Sequence, residues 1–233
     1  MPARQDLILI PGLLCTPALY AAQTAALAPL VRVTIGDHTR HDSIAAIAAS
    51  ILAAAPEKFA LAGLSMGGYI AFEIMRQAPL RVTRLALLDT SAAPDTPDRS
   101  ERRRAQIARA EQNGIASVSA EQLPMWVRPR RLADAALVAI VTKMATDTGI
   151  DAFRRQQAAI AGRADSRPGL PAVKAPTTVL VGREDAVTTV ADAEVIAGGI
   201  AGSKLVIIED CGHLSTLEQP DAVTAALRTW LQA

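Results

Sequence analysis

Charge of one sign is missing from this sequence: 24 lysines and arginines stand against 23 aspartates and glutamates, a formal net charge of +1. That balance removes the electrostatic case for nucleic acid or an anionic membrane as partner and points to a small molecule. Cysteine is scarce. Cys15 and Cys211 cannot build a disulfide framework, and neither lies in a C-x-x-C pair of the kind that binds zinc or does redox chemistry, so two buried free thiols are expected. Aromatic residues make up 3% of the chain, which weakens recognition of large rings by stacking. No apolar run reaches the roughly eighteen residues of a membrane span. The run at residues 7–10 is too short for the apolar region of a signal peptide, so a cytoplasmic location is the expectation. Nothing in the sequence calls for a cofactor or a metal, and on oligomeric state it allows a monomer or a homodimer.

What is present is apolar substance and its patterning. Half of the 233 residues are hydrophobic, enough for one substantial core but not for two conventional domains, so a single domain over residues 1–233 is expected. Short apolar runs at 7–10, 31–35, 59–62, 85–88, 178–181 and 205–208 read as buried strands, and helical stretches between them imply a parallel sheet of about six strands in an α/β protein. Thr16 with Pro17 starts the first crossover helix, and Asp42 or Ser43 caps the next, whose Ile44, Ile47, Ile51 and Leu52 share a face. Pro220 opens a last helix in which Val223, Leu227, Trp230 and Leu231 repeat at helical spacing and dock on the sheet. Residues 92–173 contain no strand pattern. They read as a helical cap inserted over one end of the sheet, with helices near 100–112, 131–146 and 151–161. Within it, Arg102, Arg103 and Arg104 read as a solvated helix face.

The chemistry is carried by Gly63-Leu64-Ser65-Met66-Gly67-Gly68, a G-x-S-x-G between a strand and a helix. A serine lifted out on so sharp a turn takes strained backbone angles, and side chains at the flanking glycines would collide with neighbouring backbone. A glycine-rich nucleotide turn is the rival, but G-x-G-x-x-G and G-K-[ST] are both missing. A serine hydroxyl needs a base to take its proton. Of the three histidines, His213 follows the last strand and opens at the same end of the sheet as Ser65, whereas His38 and His41 lie among polar turn residues and read as loop. Asp185, in the turn after the fifth strand, best supplies the carboxylate that orients the imidazole, in the chain order Ser65, Asp185, His213. Asp89 is its rival and Glu184 a weaker one, while Asp210 is too close in sequence to His213. Two backbone N–H groups would hold a tetrahedral oxyanion: Met66, after the nucleophile, and Leu13, in Pro11-Gly12-Leu13-Leu14. Leu14, Met125 and Trp126, with Val127, Leu137, Met144 and the side chains of Leu13 and Met66, suggest an apolar acyl pocket.

At four places, Ile10–Leu13, Gly63–Gly68, Val181–Asp185 and Cys211–His213, the residues resemble the α/β-hydrolase superfamily, especially its small bacterial single-domain members with a helical cap, and the likeness extends over nearly the whole chain. The resemblance implies a carboxylesterase-like serine hydrolase acting on an apolar acyl ester without a cofactor. Same-fold chemistries remain open: carbon–carbon bond hydrolysis, lactone opening, acyl transfer, and an elimination like that of menaquinone-pathway synthases. A non-catalytic receptor with the same pocket is a further alternative. Dehalogenases and epoxide hydrolases of this pattern carry aspartate where Ser65 stands. The chain departs from many members in having Pro11-Gly12 for His-Gly and no room for an antiparallel hairpin before the first strand. Arg163-Ala164-Asp165-Ser166-Arg167-Pro168 resembles a segment found just before the fifth strand in small hydrolases of this kind; no catalytic role is assigned to it, and its charges are expected to pair with one another and tie cap to core.

Overall fold

The computed structural model describes residues 4–233. Six strands form one parallel sheet: β1 (Gln5–Ile10), β2 (Val31–Ile35), β3 (Phe59–Leu64), β4 (Val82–Leu88), β5 (Thr177–Gly182) and β6 (Lys204–Ile208), in the order β2-β1-β3-β4-β5-β6. The chain winds one way from β1 to β2 and the other way from β3 to β6. The loops after β1 and β3 therefore part at the switch point, where open sheets of this kind leave a crevice at the carboxyl ends of the strands.

Helices cover both faces, as parallel strands require. Ile8, Ile10, Leu61, Leu85, Leu87, Val179 and Val181 point to a core shared with α2 (Ile44–Ala54), α3 (Met66–Gln77) and α7 (Val190–Gly199). Leu7, Leu9, Ala62, Ala86, Leu88 and Leu180 point the opposite way, toward α1 (Ala21–Leu27) and α9 (Pro220–Gln232). This alternation is the period of two along each strand, and burial of each such side chain is worth about 1.5–3 kcal/mol. Ser43, rather than Asp42, caps α2 by accepting from the Ala46 N–H at 3.2 Å. Thr16 caps a short 3-10 turn, Pro17–Tyr20, that feeds α1. In α9, Pro220 takes a first-turn position and Val223, Leu227, Trp230 and Leu231 are buried as their spacing predicts. A single turn, α8 (Ser215–Glu218), precedes it.

Between β4 and β5 come α4 (Pro97–Asn113), α5 (Ile115–Trp126) and α6 (Ala135–Ala161). The expected break between two helices near residue 150 is real: Gly149, at φ 74°, ψ 168°, interrupts α6. Helices α5 and α7 went unforeseen. Leu14, from the loop after β1, packs with Ala110, Val118, Ala145 and Phe153 in a small core of its own, so that loop is clamped beneath the inserted helices. No helix among the described residues is long and apolar enough to cross a membrane.

Candidate active site

Ser65 sits between β3 and α3 with φ 56° and ψ −114°, a conformation that costs roughly 1–3 kcal/mol for a non-glycine residue. The surroundings impose it. The Ser65 N–H donates to the Leu88 carbonyl at 3.0 Å, and the Thr90 hydroxyl donates to the Ser65 carbonyl at 2.8 Å. A Cβ on Gly63 would overlap the Gly67 carbonyl, and one on Gly67 the Ile10 carbonyl, so helix, elbow and β1 approach as closely as they do only because both positions are glycine.

His213, on the loop after β6, is buried and places Nε2 2.9 Å from Ser65 Oγ. Its Nδ1 lies 2.8 Å from Asp185 Oδ2. Asp185 is held in turn: its Oδ1 accepts from the Val187 and Thr188 N–H groups at 2.8 and 2.9 Å, and its Oδ2 from the Thr188 hydroxyl at 2.8 Å. Burial pushes the Asp185 carboxyl up, but the His213 charge and hydrogen bond, with the Thr188 and Val187 N–H donors, outweigh it and hold the group below the usual carboxylate range. Burial likewise presses the His213 imidazole down, and Asp185 reverses this, with Asp89 and Glu218 adding, so that it lies above its ordinary value.

Of the carboxylates the sequence left open, Asp185 is the one on His213. Asp89 is buried just behind it at φ 44°, accepting from the Gly182 N–H at 2.9 Å and from the Ser215 hydroxyl. Burial, then the neighbouring Asp185 charge, raises Asp89 to about 8. Glu184 lies 3.5 Å from Arg128, and Asp210 pairs with the same arginine at 2.7 Å.

Met66 opens α3, so its N–H has no acceptor within the helix. Gly12 brings the loop after β1 against the elbow: a Cβ there would stand 3.3 Å from the Ser65 Cβ. That loop is pinned from several sides, with Leu14 (φ 58°) donating its N–H to Gln156 Oε1 of α6 at 3.1 Å, His38 Nε2 lying 2.8 Å from the Gly12 carbonyl, and the Tyr20 hydroxyl donating to Ile10 at 3.1 Å. Ser65 and His213 open into a cavity of about 270 Å³ whose walls include Leu13, Leu14, Met125, Trp126 and Met144, as expected.

Several expectations need correction. Met66, Val127 and Leu137 do not line the cavity: their side chains pack in the two sheet cores. His38 does lie in a loop, as expected, but it is buried behind the Gly12 carbonyl rather than exposed among polar turn residues, and burial lowers its basicity. Arg103 is not on a solvated face. It turns inward to Asp95, at 2.7 Å, and to Gln157, at 2.8 Å. In the segment 163–168 the charges do not all pair among themselves. Arg167 does bind Asp165, but Arg163 is buried against Asp95 at 2.7 Å with its guanidinium 4.3 Å from the Tyr69 ring centroid. Gln156, Thr188, Thr90 and Glu218, which support the site, were missed because a lone polar residue in a helix or turn has no pattern to mark it. Cys15 and Cys211 are buried free thiols. Among the described residues no cluster of three or more His, Cys, Asp or Glu is arranged to hold a metal ion.

A doubly covered parallel sheet with a strained serine on its β3–α3 turn, hydrogen-bonded through histidine to aspartate, defines a class, and the comparisons agree with it. Residues 7–226 match the model of the alpha/beta hydrolase family, and the chain belongs to that family. It is 30% identical to 3-oxoadipate enol-lactonase 2 of Acinetobacter baylyi over 71% of its own length, an alignment that spans only 60% of that lactonase. It is 27% identical to the pimeloyl-[acyl-carrier protein] methyl ester esterase of Aromatoleum aromaticum over 94% of both chains. A thermophilic esterase from Thermogutta terrifontis superposes with a TM-score of 0.89 at 30% identity, covering 98% of this chain and 89% of that one.

Proposed function

We propose that this protein is a serine hydrolase that cleaves a carboxylic ester, with Ser65 as nucleophile, His213 as base and Asp185 as its orienting carboxylate. The observation that carries this reading is the unbroken line of short hydrogen bonds from Asp185 through His213 to Ser65, ending at an open cavity. His213 Nε2 takes the hydroxyl proton as Ser65 Oγ attacks the ester carbonyl, and the imidazolium so formed is stabilised by Asp185. The Leu13 and Met66 N–H groups meet the oxyanion. Collapse expels the alcohol, protonated by His213, and leaves an acyl-Ser65 ester. Water, deprotonated by the same imidazole, releases the acid. No step requires a cofactor. Residues 92–173 serve as the cap of a single domain and roof the acyl pocket, in which Leu14, Met125 and Trp126 contact substrate.

Similarity to an enol-lactonase favours a second substrate type, a lactone, by the same steps with the leaving oxygen still tethered to the acyl chain. Turnover of p-nitrophenyl esters from acetate to palmitate, run beside Ser65→Ala and beside small lactones, tests both. Nitrophenolate release that the variant lacks supports the esterase reading. Acid release from lactones alone moves the assignment to a lactonase, and a folded wild type that neither turns over nor shows a burst overturns ester and lactone hydrolysis together.

A further inference from the structure

The inserted helix α4 turns polar side chains toward the cavity. Arg99, Arg102, Arg103 and Gln106 stand at i, i+3, i+4 and i+7, the spacing of one helical face, and all four line the cavity that holds Ser65 and His213. Arg99, Arg103 and Gln106 are half-buried there, and Arg102 stands exposed at the cavity's rim. No aspartate or glutamate lines the cavity beside the three arginines. The charges are also unequal in their needs. Arg103 is satisfied by Asp95 and Gln157. Arg99 and Arg102 have no carboxylate partner anywhere among the described residues, and Arg102 makes only a 3.4 Å contact with the Asp98 carbonyl on its own helix. Nor does Asp95 have charge to spare, since it already faces Arg103 and Arg163. Like charges gathered on one cavity wall repel one another, and an anion brought between them relieves that repulsion and gains charge-assisted hydrogen bonds. Much of the remaining lining is apolar, with Leu14, Val118, Met144 and Phe153 among it. Such a chamber suits a molecule with a hydrocarbon middle and a charged end.

We propose that the substrate of this site carries an oxyanion, a carboxylate or a phosphate, which Arg99 and Arg102 hold at a distance from the scissile carbonyl. This specifies the substrate class of the hydrolase reading above and rests on it for the chemistry, though not for the binding. It replaces a uniformly apolar acyl ester with one that is apolar along its length and anionic at its end.

Two measurements separate this proposal from the hydrolase reading. In the first, kcat/KM for mono-p-nitrophenyl esters of succinate, adipate and suberate is compared with that for neutral p-nitrophenyl esters of equal chain length, in wild type and in Arg99→Gln/Arg102→Gln. The preference for the charged ester is expected to reach about tenfold at the best length and to be lost in the double variant, a factor equivalent to one charge-assisted hydrogen bond. In the second, calorimetry follows adipate and hexylphosphonate binding to Ser65→Ala, with and without the two arginine substitutions. Binding that the substitutions abolish supports the anion site even if no ester is cleaved, in which case the hydrolase reading fails by itself. Which of the two ligands binds more tightly identifies the oxyanion. Turnover of neutral esters with no preference for charged ones, and no binding of either anion to Ser65→Ala, overturns the proposal while leaving the hydrolase reading standing.

Discussion

At the residue scale the site holds two buried carboxyls in contrasting states. Asp185 accepts from His213 and from three groups of the 187–188 turn, and is held ionised. Asp89, deeper and with fewer donors, is pushed up to about 8, first by burial and then by the neighbouring Asp185 charge. In Asp89→Asn the side-chain carbonyl keeps the bond from the Gly182 N–H, while the amide replaces the oxygen that accepts from the Ser215 hydroxyl, which turns to accept instead. Asp89→Asn is therefore expected to keep kcat/KM within about threefold, whereas Asp185→Asn, which reverses the imidazole tautomer, lowers kcat by on the order of 10³–10⁴. Equal losses in the two variants, measured on one ester, would mean that Asp89 shares the orienting role. Stability supplies a second readout. The Asp89 pKa is raised on folding, so native protein binds more protons than unfolded chain between about pH 4 and 8, and the contribution of this group falls as pH rises through that window. The Tm difference between Asp89→Asn and wild type should accordingly grow in favour of the variant from pH 5 to 8 and then level off. For activity the sign follows from the role proposed for His213, which as base must be neutral. Because Asp185 raises its pKa, the acid limb of kcat/KM should inflect above the ordinary imidazole value of about 6.5, and Asp185→Asn should move the limb to lower pH.

At the scale of elements, the loop after β1 is positioned less by its own sequence than by α6, more than a hundred residues away in the chain. Gln156, fully buried on α6, accepts the Leu14 N–H. Gln156→Ala orphans that donor at a cost of about 1–3 kcal/mol and, under the oxyanion assignment proposed above, lets the Leu13 N–H drift from its place. We expect kcat to fall about tenfold with KM little changed, since an oxyanion contact acts in the transition state. A rise in KM at constant kcat would instead assign Gln156 to substrate binding. This dependence also explains what could be read from the sequence. The central strands were legible because 59–62 and 178–181 are short, largely apolar runs suited to a strand covered on both faces, and the elbow because glycine is forced at 63 and 67 by backbone contact; the edge strands β2 and β6, expected to be buried like the rest, are only partly so. Helix α9 was legible from its apolar repeat. Helix α5 was not, since Pro124 lies inside it and its buried side has too few apolar residues to outline a face. The inward turn of Arg103 was equally hidden, because a helix of mixed charge looks solvated until the acid that meets it, Asp95 of the preceding turn, is folded against it.

Across the whole molecule the inserted helices are joined to the sheet by buried polar groups as much as by apolar contact. On one side Glu218 of α8 accepts from the Gly212 N–H of the histidine loop and from the Arg128 N–H that follows α5, at 2.9 and 3.0 Å. On the other, Arg163 joins Asp95, the Ala93 and Ile160 carbonyls and the Tyr69 ring of α3, with Arg103 on the same carboxylate. The side chains of Arg163 and Asp95 are 3% and 1% exposed, so removing one partner strands the other in a medium that cannot solvate it. Asp95→Ala should then cost about 3–5 kcal/mol, because it leaves two guanidiniums near one another with no counter-charge. Arg163→Met should cost less, since Asp95 keeps Arg103 and the methionine fills part of the space over Tyr69. The double variant Asp95→Ala/Arg163→Met should recover part of the loss of Asp95→Ala, having no fully buried charge left unpaired. Urea midpoints for the three variants check this order. If Asp95→Ala costs no more than Arg163→Met and the second substitution restores nothing, the cluster is solvated in practice, and the hold of the inserted helices on the sheet rests on Glu218 and the apolar contacts alone.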